Sequence, residues 1–319
     1  MPREGISLVI PAYNEADAIG GIVEKGLSVL ESLHAGGFEV VVVDDGSTDA
    51  TAEQARAHGA RVVRHPANAG YGYAIKNGIA AASYEHIAIA DGDGTYPMEE
   101  LPRLWKKYCE GYDMVVGSRK GRFYDGSLLK RLSRFLLKLL VEFVTGQGIA
   151  DINSGMRIFN KRAVAGYFPR LCNTFSFTTS LTLAYLMTGR FVSHVPISYR
   201  RRVGRSKVRL FRDTLRTLQY IVEAIMYYNP LKMFLLLSAA MVLAAGGCFA
   251  GAAVSGCLAA DILGAGFVVL AVVTFSLGLL SVVVSRPRVP EGTFPLSSSC
   301  PVEEPVGKDN RDVPRANAR

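Results

Sequence analysis

Charge is almost missing from one long stretch of this 319-residue chain. Between Met233 and Ser285 the only charged side chain is Asp261. The uncharged runs on either side, 233–260 and 262–285, each exceed the ~20 residues needed to cross a bilayer. Runs of that length are scarce in soluble cores, so a buried hairpin is the weaker reading. Cysteine is sparse as well. The five present (Cys109, Cys172, Cys248, Cys257 and Cys300) form no CxxC pair. That argues against a structural zinc site or a disulfide framework, and they read as incidental reduced thiols. A secretory leader pattern is missing too, because Met1-Pro-Arg-Glu-Gly runs straight into a strand. The N-terminal part is therefore expected to stay in the cytosol.

Basic residues are in excess. Against 28 Asp+Glu there are 36 Lys+Arg, a net charge of +8 that suits an anionic partner or surface. Lys232 precedes the apolar pair of runs, and Arg286 and Arg288 follow it. By the positive-inside tendency both flanks are cytosolic and a turn near Asp261 faces the other side. Gly247 and Gly251 have the spacing that lets two membrane helices approach closely. From 286 onward the chain is rich in proline, serine and charge, and is expected to be disordered.

The first two thirds alternate between strand and helix patterns. Strands are expected at 6–10, 38–43, 61–64, 86–90 and 113–117. Between them fall a helix from 15, capped by Asn14, and others over 48–58, 70–82 and 97–110. Strands separated by short helices imply a parallel sheet wound by helices, with ligands beyond the carboxyl ends of the strands. Three polar motifs fall at such ends: 11–15, 44–47 and 91–93.

The last of these is the sharpest. An apolar run ends in Asp91-Gly92-Asp93-Gly94, two carboxylates spaced i and i+2. Such oxygens suit a hard divalent cation, Mg2+ or Mn2+. Surface turns also contain this pattern, and Asp44-Asp45-Gly46-Ser47 alone could be a capped strand-ending turn. Three such motifs on one sheet edge favour a site.

In order, Ile10-Pro11-Ala12-Tyr13-Asn14-Glu15, Val43-Asp44-Asp45-Gly46-Ser47-Thr48-Asp49, Asn68-Ala69-Gly70-Tyr71-Gly72 and Asp91-Gly92-Asp93-Gly94 resemble a family 2 glycosyltransferase with the GT-A fold. Gly117-Ser118-Arg119, Asp151-Ile152-Asn153-Ser154-Gly155-Met156-Arg157 and Gly204-Arg205-Ser206-Lys207 narrow the resemblance to the polyprenyl-phosphate sugar transferases. It covers about residues 5–230. The fold it implies is an α/β GT-A domain with a parallel-rich sheet, followed by a C-terminal two-helix transmembrane hairpin. The divisions expected are a cytosolic catalytic domain at 1–207, an amphipathic juxtamembrane helix at 208–230, two membrane helices at 231–286 and a tail at 287–319.

The resemblance also implies roles. Pro11, Tyr13, Glu15, Asp44, Gly70, Asp91, Gly92 and Asp93 would bind the nucleotide-sugar donor, with Asp91 and Asp93 holding Mg2+ or Mn2+. Asp93, Asp151 and Arg119 are the catalytic candidates. A bland alternative has Asp151 as a loop acid pairing Arg157. Arg119, Arg131, Ser133, Arg201 and Lys207 would meet the acceptor phosphate, although the crowded arginines from 200 to 216 could equally dock on anionic lipid heads. The segment 175–180 carries only hydroxyls where relatives often have glutamate, which leaves the donor sugar open.

The expected partners are a nucleotide sugar (UDP- or GDP-linked), a polyprenyl phosphate lipid and a membrane. Nucleic acid is not among them, and self-association is open. The expected location is a bacterial or archaeal plasma membrane or the endoplasmic reticulum, with the catalytic domain on the cytosolic face. Basic amphipathic patterns at 127–144 and 208–228 would hold it there. A processive polysaccharide synthase is disfavoured, because the only tryptophan, Trp105, lies in no Gln-x-x-Arg-Trp motif. Transfer to another membrane lipid, and a non-catalytic anchor that binds nucleotide sugars, are the competing readings.

Overall fold

The structure is a computed structural model that describes residues 3–120, 135, 138–139, 141–143, 145–200 and 210–284. Arg131, Ser133, Arg201, Lys207, Cys300 and the tail at 287–319 lie outside the described residues, as does most of the pattern at 127–144.

Seven strands form one sheet: β1 (Arg3–Ala12), β2 (Phe38–Asp44), β3 (Arg61–Arg64), β4 (Tyr84–Ile89), β5 (Met114–Lys120), β6 (Arg157–Asn160) and β7 (Val192–Ser198). Their order is β3-β2-β1-β4-β6-β5-β7. The expected parallel sheet is in fact mixed, because β6 runs antiparallel to both β4 and β5. The remaining pairings are parallel.

Side-chain alternation explains why the inner strands read as unbroken apolar runs. On β2, Val40 and Val42 enter one core and Val41 and Val43 the other. On β4, Ala88 faces the first core, as does Ala90 just beyond the strand, and Ile87 and Ile89 face the second. Helices α1 (Ala16–Glu31) and α4 (Leu101–Tyr108) cover the first face. Helices α3 (Tyr71–Ala81) and α6 (Phe177–Met187) cover the second. Two short helices, α2 (Thr51–Ala57) and α5 (Lys161–Ala165), complete the layers. Each fully buried Val or Ile contributes about 1.5–3 kcal/mol of transfer free energy.

Helix α7 (Leu210–Tyr228) joins through a third cluster, where Ile221 and Ile225 meet Leu183 and Leu186 of α6 and Val141 and Ile149. Two long helices follow, α8 (Pro230–Ser255) and α9 (Leu258–Val284), both long and apolar enough to cross a membrane. Their side chains are mostly exposed, Leu243 at 77% and Val254 at 91%, unlike helices of a soluble core.

The hairpin differs from expectation in two respects. Its turn is at Gly256, not Asp261. Gly256 adopts the left-handed conformation (φ 64°) and caps α8, while Asp261 sits in the first turn of α9, where the helix dipole favours an acid. The close approach is also elsewhere. Gly247 and Gly251 face open space, whereas Phe249 packs on Gly264 and Phe234 on Gly278. A side chain at Gly264 would start 2.8 Å from the Phe249 ring. Cys172, Cys248 and Cys257 carry free thiols, as read from the sequence, whereas Cys109 is disulfide-bonded, against that reading.

Candidate active site

The C-terminal ends of β1, β2 and β4 open into a cavity of about 410 Å³. Pro11, Tyr13 and Glu15 come from the end of β1, and Asp45 from the end of β2. Asp91, Gly92 and Asp93 follow β4, and Gly70 and Tyr71 open α3. Phe175, in the loop before α6, completes this wall. The donor candidates therefore share one cavity, with one exception.

The exception is Asp44. Its side chain is fully buried and does not line the cavity. Asp44 Oδ1 accepts from the Ser47 amide at 2.9 Å, tightening the turn. Arg64 Nε lies 3.2 Å from Oδ2 but without hydrogen-bond alignment, so this contact is an ion pair only. Its neighbour Asp45 is the one that faces the cavity. Oδ1 of Asp45 accepts from His65 Nδ1 at 2.7 Å and from the Ala69 amide at 2.9 Å, and Oδ2 accepts from the Gly70 amide at 2.9 Å. Asp45 thus folds the 68–70 loop over its own carboxylate. Because adjacent strand residues point to opposite faces, the sequence alone does not tell which acid of the pair looks outward.

Asn14 is likewise not a helix cap. It adopts a left-handed φ of 51°, and Glu15 holds the cap position of α1 without a side-chain bond. Asn14 instead ties two loops together. Its amide donates to Ser47 Oγ at 2.9 Å, and its Oδ1 accepts from the Thr48 amide at 2.8 Å. Asp49 Oδ2 accepts from the Ala16 amide at 3.2 Å, so one loop caps the other's helix.

The two carboxylates after β4 are individually held. Asp91 Oδ1 accepts a 2.7 Å bond from the Tyr71 hydroxyl. Burial and the neighbouring Asp91 raise the Tyr71 pKa well above its ordinary value, so the hydroxyl keeps its proton to donate. Gly155 passes on the other side, where an added Cβ would lie 2.6 Å from Asp91 Oδ1. Asp93 Oδ1 accepts from the Thr95 amide at 3.0 Å and the Thr95 hydroxyl at 2.6 Å.

Among the described residues no three His, Cys, Asp or Glu side chains cluster as a self-contained metal cage. Two carboxylates on a cavity wall fit a cation that completes its shell with substrate oxygens, as Mg2+ often does.

Arg119 and Asp151 meet beside this cavity's far strands without lining it. Arg119 Nε and Nη2 donate to the two oxygens of Asp151 at 2.7 and 2.9 Å, a bidentate pair that is nearly buried. The alternative partner, Arg157, is instead fully buried. It donates to Ser154 O and, at 3.0 Å, to Thr178 O, which fastens the 151–155 loop to α6. Burial lowers the Arg157 pKa to about 10, so it remains cationic at neutral pH.

Sequence reasoning did not single out Tyr71, Asp45 or Phe175 as site residues. Tyr71 and Asp45 stood inside quoted motifs, and Phe175 in a segment noted only for its missing glutamate.

Comparison with known proteins adds to this geometry. The model of the family described as Glycosyl transferase family 2 matches residues 7–168. The chain belongs to glycosyl transferase family 2. This glycosyltransferase is 33% identical over 206 residues to the dolichyl-phosphate hexose transferase of Haloferax volcanii, which covers 64% of this chain and 87% of that protein. It is 31% identical over 224 residues to the low-salt glycan biosynthesis hexosyltransferase Agl6 of the same organism, covering 68% of this chain and 53% of that one. Among solved structures, glucosyl-3-phosphoglycerate synthase from Mycobacterium tuberculosis in complex with phosphoglyceric acid superposes with a TM-score of 0.59 at 21% identity, over 69% of this chain and 80% of that one. The same enzyme in complex with Mn2+, UDP-glucose and phosphoglyceric acid gives 0.58 at 20% identity, over 69% and 79%. At that identity the likeness establishes the GT-A fold and nothing finer.

Proposed function

We propose that this glycosyltransferase moves a hexose from a nucleotide sugar to a polyprenyl phosphate in a single inverting displacement at a membrane surface. The observation that carries the reading is the juxtaposition of Asp91 and Asp93 on one cavity with a membrane-length hairpin on the same chain. The names of the curated relatives support a lipid-phosphate acceptor and a hexose.

Pro11, Tyr13, Glu15 and Gly70 hold the nucleoside side of the donor, with Asp45 in the place first given to Asp44. Asp44 fixes the turn behind it. Asp91, Gly92 and Asp93 face the diphosphate and hold Mg2+ or Mn2+. That cation supplies Lewis-acid neutralisation of charge on the leaving nucleoside diphosphate. A lipid phosphate has a second pKa near ~6 and is largely dianionic at pH 7, so the attack needs no general base. Its oxygen forms a bond to the anomeric carbon as the bond to the diphosphate oxygen breaks, and that electron pair leaves with the nucleoside diphosphate.

The protein's task on the acceptor side is positioning. Arg119, oriented by Asp151, performs it together with Arg131, Ser133, Arg201 and Lys207. The hairpin α8–α9 anchors the domain to the cytosolic leaflet, to which exposed Leu139 and Phe143 would add apolar surface. Lys232, at the start of α8, donates to the Phe143 carbonyl at 3.2 Å, joining this region to the anchor.

The test is a panel of radiolabelled UDP- and GDP-sugars with undecaprenyl or dolichyl phosphate. The expected result is metal-dependent formation of a labelled lipid phosphate and release of nucleoside diphosphate only when the lipid phosphate is added. Label passing to a lipid without a phosphate, or nucleotide binding with no turnover on any pair, would overturn it.

A further inference from the structure

The loop before α6 holds a large aromatic ring where a folding chain would not leave one. Phe175 is 47% exposed and lines the cavity. The loop beneath it is firmly fixed. The Tyr73 amide donates to Asn173 O at 3.0 Å, and Lys76 Nζ donates to Leu171 O and Asn173 Oδ1, both at 2.6 Å. The ring stacks on Tyr71, centroids 5.8 Å apart and planes 18° from parallel. Tyr71 is the residue whose hydroxyl holds Asp91. A rigid, half-exposed aromatic face backed by a second ring is a ready-made surface for another flat apolar face.

Position decides what that face meets. Phe175 adjoins Tyr71 on the diphosphate side of the cavity, and in the first turn of the helix after it Thr179 bonds Asn153 of the 151–155 loop, which begins at the partner of Arg119. The segment 175–179 therefore spans the interval between the metal carboxylates and the Arg119–Asp151 pair. The hexose is the group that passes from one phosphate to the other, so it occupies that interval. We infer that Phe175 is the platform on which the C–H face of the donor hexose ring stacks, with Tyr71 as its backing, and that it is a specificity-determining residue for the sugar. This rests on the function proposed above. A stacked pyranose presents C–H bonds to the ring and its hydroxyls sideways, toward the other walls of the cavity.

The experiment uses the full chain in detergent micelles and compares UDP with UDP-glucose, and GDP with GDP-mannose, by calorimetry with Mn2+ present. For Phe175→Ala the expected result is unchanged affinity for the nucleoside diphosphate and a loss of roughly threefold to tenfold for the matching nucleotide sugar. Phe175→Tyr keeps the face and should retain the sugar increment. Equal weakening of both ligands would make Phe175 a base or diphosphate contact and overturn the inference. So would unchanged binding of both, including the case where only the KM for lipid phosphate rises. Failure of the wild-type chain to bind any nucleotide sugar would instead overturn the proposed function. An unfolding midpoint within a few degrees of wild type shows that Phe175→Ala reports on contact and not on folding.

Discussion

At the scale of single residues, the two aspartates after β4 differ in how they are held. Asp91 depends on a hydroxyl from another element, and Asp93 on the backbone and side chain two residues ahead. Tyr71→Phe removes one oxygen and leaves the ring stack. A hydrogen bond to a charged group is worth about 1.5–3 kcal/mol, so the expected loss in kcat/KM is roughly tenfold to a hundredfold. The half-saturating Mn2+ concentration should rise with it, and unchanged metal dependence would show that the hydroxyl does not orient Asp91. Asp93→Ala should cost more, abolishing transfer while leaving the thermal midpoint near wild type. A variant with near-normal rates in chelator-treated buffer would refute the metal assignment.

The aspartates were legible in the sequence because the pair ends an apolar run on the same sheet edge as two other polar motifs; alone, the pattern also occurs in surface turns. Tyr71 and Phe175 were not. Their importance lies in a contact between a helix start and a loop far along the chain, and no periodicity reports such a meeting.

At the scale of elements, the runs of β-branched residues revealed β1, β2, β4 and β5, since strands buried on both faces need apolar side chains at every position. The four-residue β6 gave no comparable signal, and its reversed direction depends on where the preceding loop returns to the sheet. The hairpin turn was misplaced because charge marked the boundary in sequence, whereas backbone conformation sets it in space.

Two predictions belong to this scale. Gly264→Leu should destabilise the full chain in micelles by about 1–3 kcal/mol by displacing Phe249, whereas Gly247→Leu, facing open space, should be near neutral. Equal midpoints for both would show that the hairpin does not pack this way.

The second concerns His194 on β7. Burial lowers its pKa, and the nearby Arg157 adds to the shift. Its Nε2 is buried and has no hydrogen-bond partner among the described residues. The folded state therefore takes up a proton less readily than the unfolded chain, whose histidines titrate near ~6.5. Stability from this group is complete above that pH and is lost as pH falls below it. His194→Gln should flatten the stability profile between about pH 6.5 and 5 by up to about one proton. Denaturant titrations at several pH values would measure this, and parallel profiles would remove His194 from the account.

At the scale of the molecule, α8 and α9 expose leucine, valine and phenylalanine along their lengths, and no soluble partner surface within the described chain covers them. The full chain should float with liposomes, resist extraction by high salt and alkaline carbonate, and be released by detergent. Release by salt alone would mean that the basic surface, and not the hairpin, makes the attachment. The fold class and two helices long and apolar enough to cross a membrane were readable from motif order and charge-free length. The pairing of Arg119 with Asp151 was not, because the sequence separates the two by a long connection.

The antiparallel strand β6 has a consequence for how such a molecule can vary. It stands between β4 and β5 and is reached only after the connection from Lys120 to Arg157. One side of it carries the donor loops, continuous in sequence and cross-tied through Asn14 and Asp45. Loop closure costs only about 0.6 kcal/mol per doubling of length, so the connection tolerates a change of length, but its end is tied to the cavity, where a side chain at Gly155 would start 2.6 Å from Asp91 Oδ1. Under the proposed function, exchanging residues 121–150 between two such transferases should change which acceptor is used and leave nucleotide-sugar binding intact.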